Sequence, residues 1–248
     1  MGTLLPVPDR GGSADGSSVT MNQPDATDKL TPERLLESVT RTLRHEVGDL
    51  LQTVYSTVAI LQERFPPAAQ MERRFLSDLR GRAETCRDEL DAVHDLILPM
   101  TLKLGSVDLA ELAEGMVASF SSRQKSIKIR AEQSGALPVT ADAHRLTQVG
   151  RLLLAGACQS ARHEVVVRTR PAARGEAELT FADDGHGATP EQLRWLATPF
   201  VTTQQALCGL GLALAQKVAE LHGGRVSAEN QPQGGFRVTL TLPARPRP

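Results

Sequence analysis

The chain has 248 residues, enough for one large domain or two small ones around a sizeable core. Its 28 basic and 29 acidic residues leave a formal net charge of -1, so neither a basic field for nucleic acid nor a basic run for a membrane surface is present. Three scattered cysteines, Cys86, Cys158 and Cys208, form no C-x-x-C pair and read as small apolar fillers in a reducing compartment. No apolar run approaches the roughly 18 residues that span a bilayer, and the N-terminus lacks the basic-then-apolar layout of a signal peptide. The expectation is a cytoplasmic protein.

Residues 1–30 are rich in Gly, Ser, Pro and Asp with little apolar content, and are expected to form a disordered tail. Thr31-Pro32-Glu33 then starts a helix, with a Thr N-cap, Pro in the first turn and an acid close behind. Its apolar residues, Leu36, Val39, Leu43, Val47, Leu50, Val54, Val58, Leu61 and Phe65, recur every three or four positions. Pro66-Pro67 stops this helix. A second helix, 69–98, carries Met71, Phe75, Leu79, Ala83, Cys86, Leu90, Val93 and Ile97 and ends at Pro99. The two make an antiparallel hairpin over 31–99. A lone hairpin leaves much of each stripe uncovered, so a homodimer through residues 31–98, closing a four-helix bundle, is expected.

A linker, 100–106, leads to a mixed pattern over 107–244. Helices are predicted at Val107 to Phe120, from a cap at Asp142 to Ala161, at Pro190 to Ala197 and from Leu210 to Leu221. Strands are predicted at Ser126 to Arg130, Glu164 to Thr169, Glu176 to Ala182, Val226 to Glu229 and Phe236 to Leu242, the last two a hairpin over Gln233-Gly234-Gly235. The fold class is multidomain: an α hairpin, then an α+β domain with a largely antiparallel sheet and helices on one face, an α/β sandwich.

Three stretches carry candidate chemistry. In Arg44-His45-Glu46 the histidine lies roughly opposite Leu43 and Val47, sharing a face with Arg41, Asp49 and Gln52; alone it reads more readily as an idle or core histidine than as a functional one. Asp183-Asp184-Gly185-His186-Gly187 ends a strand, and is a turn by ordinary rules or a place where a planar ligand meets backbone and carboxylate. Gly209-Leu210-Gly211-Leu212 opens a helix whose amides suit phosphate oxygens. There is no P-loop, and the spacing is not that of a dinucleotide fold.

The order of these boxes is specific. With Pro199-Phe200-Val201-Thr202-Thr203, Leu221-His222-Gly223-Gly224 and the Gly234-Gly235-Phe236 ending, residues 31–244 resemble the histidine protein kinases of two-component systems. The resemblance implies a dimerisation and histidine phosphotransfer hairpin followed by a GHKL-type ATP-binding domain of Bergerat fold. His45 would be the phospho-acceptor and Glu46 would orient the ring and take its proton. Asp183 would read the adenine amine, and Gly185, Gly187, Gly209 and Gly211, with Leu210 and Leu212, would shape the pocket. Thr202 and Thr203 would begin a lid running to Leu207. The implied cofactors are ATP and Mg²⁺, and the implied partner is a response-regulator receiver domain.

Some positions depart from that pattern. Leu152 and Gly156 stand where the family carries asparagines, the second of which helps hold Mg²⁺, and the chain's two asparagines, Asn22 and Asn230, lie elsewhere. Gln159 reaches the metal position only through helix rotation or a bridging water. Leu207 replaces a glycine, Gln204 a common lysine, and Asp49 the Thr or Asn that positions water for dephosphorylation. Gly48 is either tolerated in its helix at about 1 kcal/mol or leaves room beside His45 for a docking domain. Beside an ATP-dependent kinase stand two other readings: a phosphorelay transfer protein or pseudokinase scaffold with an impaired ATP site, and a dimeric docking regulator for which His45 is dispensable.

Overall fold

Proline punctuation and capping set the hairpin. The computed structural model describes residues 31–121, 127–195 and 208–244. Helix α1, Pro32–Arg64, begins where Thr31 Oγ1 accepts the Arg34 N–H at 3.3 Å. It ends at Phe65, whose extended backbone (ψ 130°) is the conformation that a following proline imposes. Helix α2, Gln70–Ile97, has no side-chain cap at Ala69; instead Arg73 Nη1 reaches back to the carbonyls of Gln62 and Phe65, each at 3.1 Å. Those are orphan acceptors at the end of α1. Leu51 and Val58 of α1 and Leu76 and Ala83 of α2 are buried in the hairpin. Leu36, Val39, Leu43, Leu50, Met71, Phe75 and Leu79 are exposed, so the stripe is wider than one hairpin seam covers. None of the helices among the described residues is long and apolar enough to cross a membrane.

Gly48 sits in α1 with open space around it: a Cβ built there meets nothing within 4 Å. Gly48→Ala is therefore expected to raise hairpin stability by up to about 1 kcal/mol, measured as a higher urea midpoint. A lower midpoint would instead mean that the open space is used.

The second part is a five-stranded sheet in the order β2-β4-β5-β7-β6, from β2 (Lys128–Gln133), β4 (Glu164–Ala172), β5 (Glu176–Asp183), β6 (Arg225–Asn230) and β7 (Phe236–Pro243). Only β2 and β4 pair in parallel; the other neighbours are antiparallel. Helices α3 (Leu109–Ser121), α4 (Ala143–Ser160) and α6 (Cys208–Leu221) contribute Leu109, Met116, Val149, Leu153, Leu214 and Val218 to the core, against Val165, Val167, Leu179, Phe181 and Leu240 of the strands. Alternate strand residues point outward and form ion pairs, among them Arg130–Glu164 at 2.8 Å, Arg170–Glu178 at 2.6 Å and a bidentate Arg225–Glu176 at 2.9 Å. That alternation is the signature of a sheet with one face in water.

Two strands escaped the sequence reading. β1 (Gly105–Asp108) and β3 (Pro138–Ala141) form an antiparallel ribbon, so Gly105 and Ser106 are strand and not linker, and α3 starts at Leu109 and not Val107. The reason is local: Asp108 Oδ1 accepts the Ala110 N–H at 2.8 Å and the Leu137 N–H at 3.0 Å, marking the start of α3 and tying it to the residue that leads into β3. The strand expected from Ser126 runs from Lys128 to Gln133, and helix α5 is described over Pro190–Trp195. The expected tail 1–30, Ser126 and Ala197 lie outside the described residues.

Candidate functional site

His45 stands on the α1 face turned away from α2, with a side chain 75% exposed. Its Nδ1 lies 3.2 Å from Asp49 Oδ2, one turn along the helix. A proton carried on Nδ1, on the Asp49 side, would leave the lone pair on Nε2. Glu46, assigned the orienting role by the resemblance, is exposed; the carboxylate that meets the ring is Asp49. The i,i+4 spacing was the signal that could have found it. Arg44 turns the other way, and its Nε donates to Asp91 Oδ1 at 2.7 Å, fixing α1 to α2 at the level of the histidine.

The Asp183 loop closes the end of β5. Asp183 is 5% exposed, and its Oδ1 accepts the Gly185 N–H at 2.8 Å. Burial pushes its carboxyl above the ordinary value, against the Gly185 and Phe236 N–H groups that favour the charge. Two glycines of this region permit approaches that no side chain could: a Cβ on Gly185 would lie 2.2 Å from the Ser160 carbonyl, and one on Gly235 (φ +94°) 1.9 Å from that of Asp183. Asn230 braces the far side, accepting the Ala188 N–H and donating to the Ala188 carbonyl, each at 2.7 Å. Gln231 Nε2 donates to the Asp183 carbonyl at 2.8 Å. Sequence reasoning missed Asn230 and Gln231, whose roles depend on β6 and β7 folding back past the loop.

Asp184, the second acid, is a structural brace. Its carboxylate accepts backbone N–H groups from Arg162 (2.8 Å), His163 (3.0 Å) and Glu164 (3.1 Å), joining the α4–β4 turn to the loop. Burial pushes the carboxyl up, but those N–H groups and the His163 ring outweigh it and hold it well below the usual carboxylate range. A carboxyl depressed on folding contributes stability above its unfolded pKa near 3.9, and the contribution drains away as pH falls through the folded value. Asp184→Asn is expected to lower stability at pH 7 by about 1 kcal/mol, because the side chain is over a third exposed. The gap from wild type should narrow in denaturant melts at pH 3; a gap that holds or widens on acidification would contradict this role.

The third part is the α4–α6 contact. Gly209, Gly211 and Leu212 are buried in the first turn of α6 and Leu210 is half-buried. A Cβ on Gly211 would lie 3.2 Å from Leu152 Cβ, so the glycine lets α6 close onto α4 at the first asparagine position. Gly156, one turn on, is buried and has no side chain to offer a ligand. Gln159 lines a cavity of 830 Å³ with Leu152, Ala155 and Cys158, faced by Thr85, Asp88 and Glu89 of α2. Burial and the charge of Asp183 push the Cys158 thiol up to about 11, leaving it inert at neutral pH. Among the described residues, no group of three or more His, Cys, Asp or Glu is placed to hold a metal ion. The buried carboxylate and the glycine approaches fit a planar base against backbone, while Leu152 and Gly156 do not fit Mg²⁺. Thr202, Thr203, Gln204 and Leu207 lie outside the described residues.

His222 completes the frame: its Nε2 accepts the Asp142 N–H at 2.9 Å and its Nδ1 meets the Val218 carbonyl at 2.7 Å, so the ring joins α6 to the cap of α4.

Residues 141–246 match the model of the histidine kinase-, DNA gyrase B- and HSP90-like ATPases. The sensor histidine kinase ZraS of Klebsiella oxytoca is 31% identical over 205 residues, covering 80% of this chain and 44% of ZraS. The sensor protein FixL of Bradyrhizobium diazoefficiens is 34% identical over 143 residues, 55% of this chain and 28% of FixL. The chain thus spans less than half the length of these relatives. Full-length ShkA, solved in complex with AMPPNP, superposes with a TM-score of 0.62 at 25% identity, over 84% of this chain and 46% of ShkA. The catalytic domain of histidine kinase ThkA superposes over its whole length and 59% of this chain, with a TM-score of 0.52 at 22% identity, a likeness of fold alone. A helical hairpin followed by an ATPase-fold domain thus aligns with the sensor histidine kinase ZraS over four-fifths of this chain's length, and residues 141–246 belong to the histidine kinase-, DNA gyrase B- and HSP90-like ATPases.

Proposed function

We propose that the chain is an ATP-dependent protein-histidine kinase that phosphorylates its own His45 and passes the phosphoryl group to an aspartate of a response-regulator receiver domain. The observation that carries this is the exposed imidazole with Nδ1 beside Asp49, separate from a buried carboxylate set among glycines. Nε2 would attack the γ-phosphorus in line as the bond to ADP breaks. The Nδ1 proton, made acidic as the N–P bond forms, passes to Asp49, with Glu46 alongside as the second acid. Asp183 would accept the adenine amine. The exposed Leu36, Val39, Leu43, Leu50, Phe75 and Leu79 support a homodimer through residues 31–98. Consumption of ATP and the free thiols Cys86 and Cys158 favour a cytoplasmic setting.

Leu152 and Gly156 favour a second reading, in which the ATP site is impaired and His45 takes its phosphoryl group from a phosphorylated receiver. One assay separates the two. Purified protein is incubated with γ-labelled ATP and Mg²⁺, then chased with receiver domain. Acid-labile, alkali-stable label that moves to the receiver supports the kinase. Label arriving only from a phosphorylated receiver supports the transfer protein. Neither outcome would leave the non-catalytic docking role.

A further inference from the structure

The carbonyl of Asp183 is held by a relay of side chains that starts outside its loop, on the last strand. Gln231, in the β6–β7 turn, uses both ends of its amide: Nε2 donates to the Asp183 carbonyl at 2.8 Å, and Oε1 accepts Arg237 Nη2 at 2.9 Å. The Gln231 N–H donates to the Gly235 carbonyl at 3.0 Å, which keeps the glutamine in the turn. Arg237 lies in β7, opposite Ala182 of β5 on one side and Glu229 of β6 on the other. Its Nη1 reaches Glu229 Oε1 at 3.3 Å. One residue earlier, the Phe236 N–H meets the Asp183 carboxylate. Asp183 is thus fixed at its carboxylate by backbone N–H groups and at its carbonyl by the relay.

A primary amide can point either way with almost no change of shape, and its neighbours decide which. A guanidinium only donates and a backbone carbonyl only accepts. Arg237 therefore draws Oε1 toward itself and leaves Nε2 facing Asp183. Without it, the amide is free to turn Oε1 onto the Asp183 carbonyl, oxygen against oxygen. The carbonyl and the carboxylate branch from one Cα, so a tilt of the first swings the second. Stability alone does not account for the arginine: its Nε is buried with no hydrogen-bond partner among the described residues, a cost that an apolar side chain avoids. Glu229, with a side chain 65% exposed, gives it only a surface pair.

We propose that Arg237 is a positioning residue for base selection, setting the direction of the Gln231 amide and, through it, the aim of the Asp183 carboxylate. This rests on the reading that Asp183 accepts the adenine amine. The probes are ATP and ITP, whose base carries a carbonyl in place of that amine, titrated into the intact protein by calorimetry. Wild type should prefer ATP by roughly ten- to hundredfold, the scale of a hydrogen bond to a charged acceptor. Arg237→Leu should weaken ATP by about three- to tenfold, a part of that hydrogen bond, and leave ITP and the melting temperature unchanged. Gln231→Met should do the same, and the double variant should be no worse than either single one, because the two residues act in series. Arg237→Lys keeps a donor-only cation and should hold ATP within about twofold of wild type. Glu229→Gln should change neither nucleotide.

Equal weakening of ATP and ITP in Arg237→Leu, or additive losses in the double variant, overturns the proposal. Wild type that binds both nucleotides equally, or neither, sinks the adenine reading and the selective role with it. Hydrogen–deuterium exchange at 183–187, faster in Arg237→Leu and restored in Arg237→Lys, then still decides whether the relay holds the loop.

Discussion

His45→Ala should leave no acid-labile label after incubation with γ-labelled ATP, while nucleotide binding and melting temperature stay as in wild type. The side chain is 75% exposed and its contact is with Asp49 on the same helix, so its loss should alter stability by less than about 0.5 kcal/mol. The nucleophile itself disappears, and neither Glu46 nor Asp49 can supply a nitrogen for the phosphoryl group. Companion variants then assign the proton. Asp49 meets Nδ1 at 3.2 Å, and a positioned base is worth on the order of 10²-fold or more. Asp49→Ala should therefore slow labelling by about that factor and Glu46→Ala by less. The reverse order would return the base to Glu46, and persistent label on His45→Ala would remove His45 as the acceptor.

Gly156→Asn should increase the labelling rate by roughly 10- to 10²-fold, because it restores a side-chain oxygen at the second asparagine position of α4. Magnesium needs oxygen ligands in tight octahedral geometry, and one well-placed electrostatic contact at a developing charge is worth about 10²–10³-fold. Asn has a somewhat better helix propensity than Gly, but Gly156 is buried, so the new amide must find partners in the pocket or cost about 1–3 kcal/mol. Leu152 is a poorer place to restore the pattern: its side chain fills the contact with Gly211, so an asparagine there would remove apolar packing between α4 and α6 as well as bury an amide. Nucleotide titrations with and without Mg²⁺ make the comparison. A folded Gly156→Asn protein with no gain in either rate or Mg²⁺-dependent affinity would show that Gly156 is not what limits this site.

The hairpin was legible because its signals are local: the Thr31 cap, a stripe repeated every three or four residues, and prolines at 66–67 and 99. The ribbon of β1 and β3 was not, since each strand has four residues and two residues of β1 look like a linker. For the site, the order of boxes points to His45 and the Asp183 loop, but not to the braces around them. Asp184 looks like a duplicate acid beside Asp183, yet one carboxyl is pushed up by burial and the other held down by three N–H groups. Nothing in a linear reading separates them, because the N–H groups come from the α4–β4 turn, some twenty residues earlier. Asn230 and His222 also act through partners more than forty residues away.

The place of β7 in the sheet bears on how the protein comes into being. β7 is the last strand in sequence and yet lies between β5 and β6, while Gly235, just before it, rests on the Asp183 carbonyl. During synthesis β5 must therefore wait, with Leu179 and Phe181 only half covered, until some sixty further residues have emerged. The Asp183 loop can take its final shape only when that last strand inserts. The hairpin, whose partners are close in sequence, can form long before. A nascent chain should thus present a finished acceptor helix ahead of any nucleotide pocket, and a ribosome stalled before residue 236 would hold a folded hairpin behind an open, aggregation-prone sheet edge.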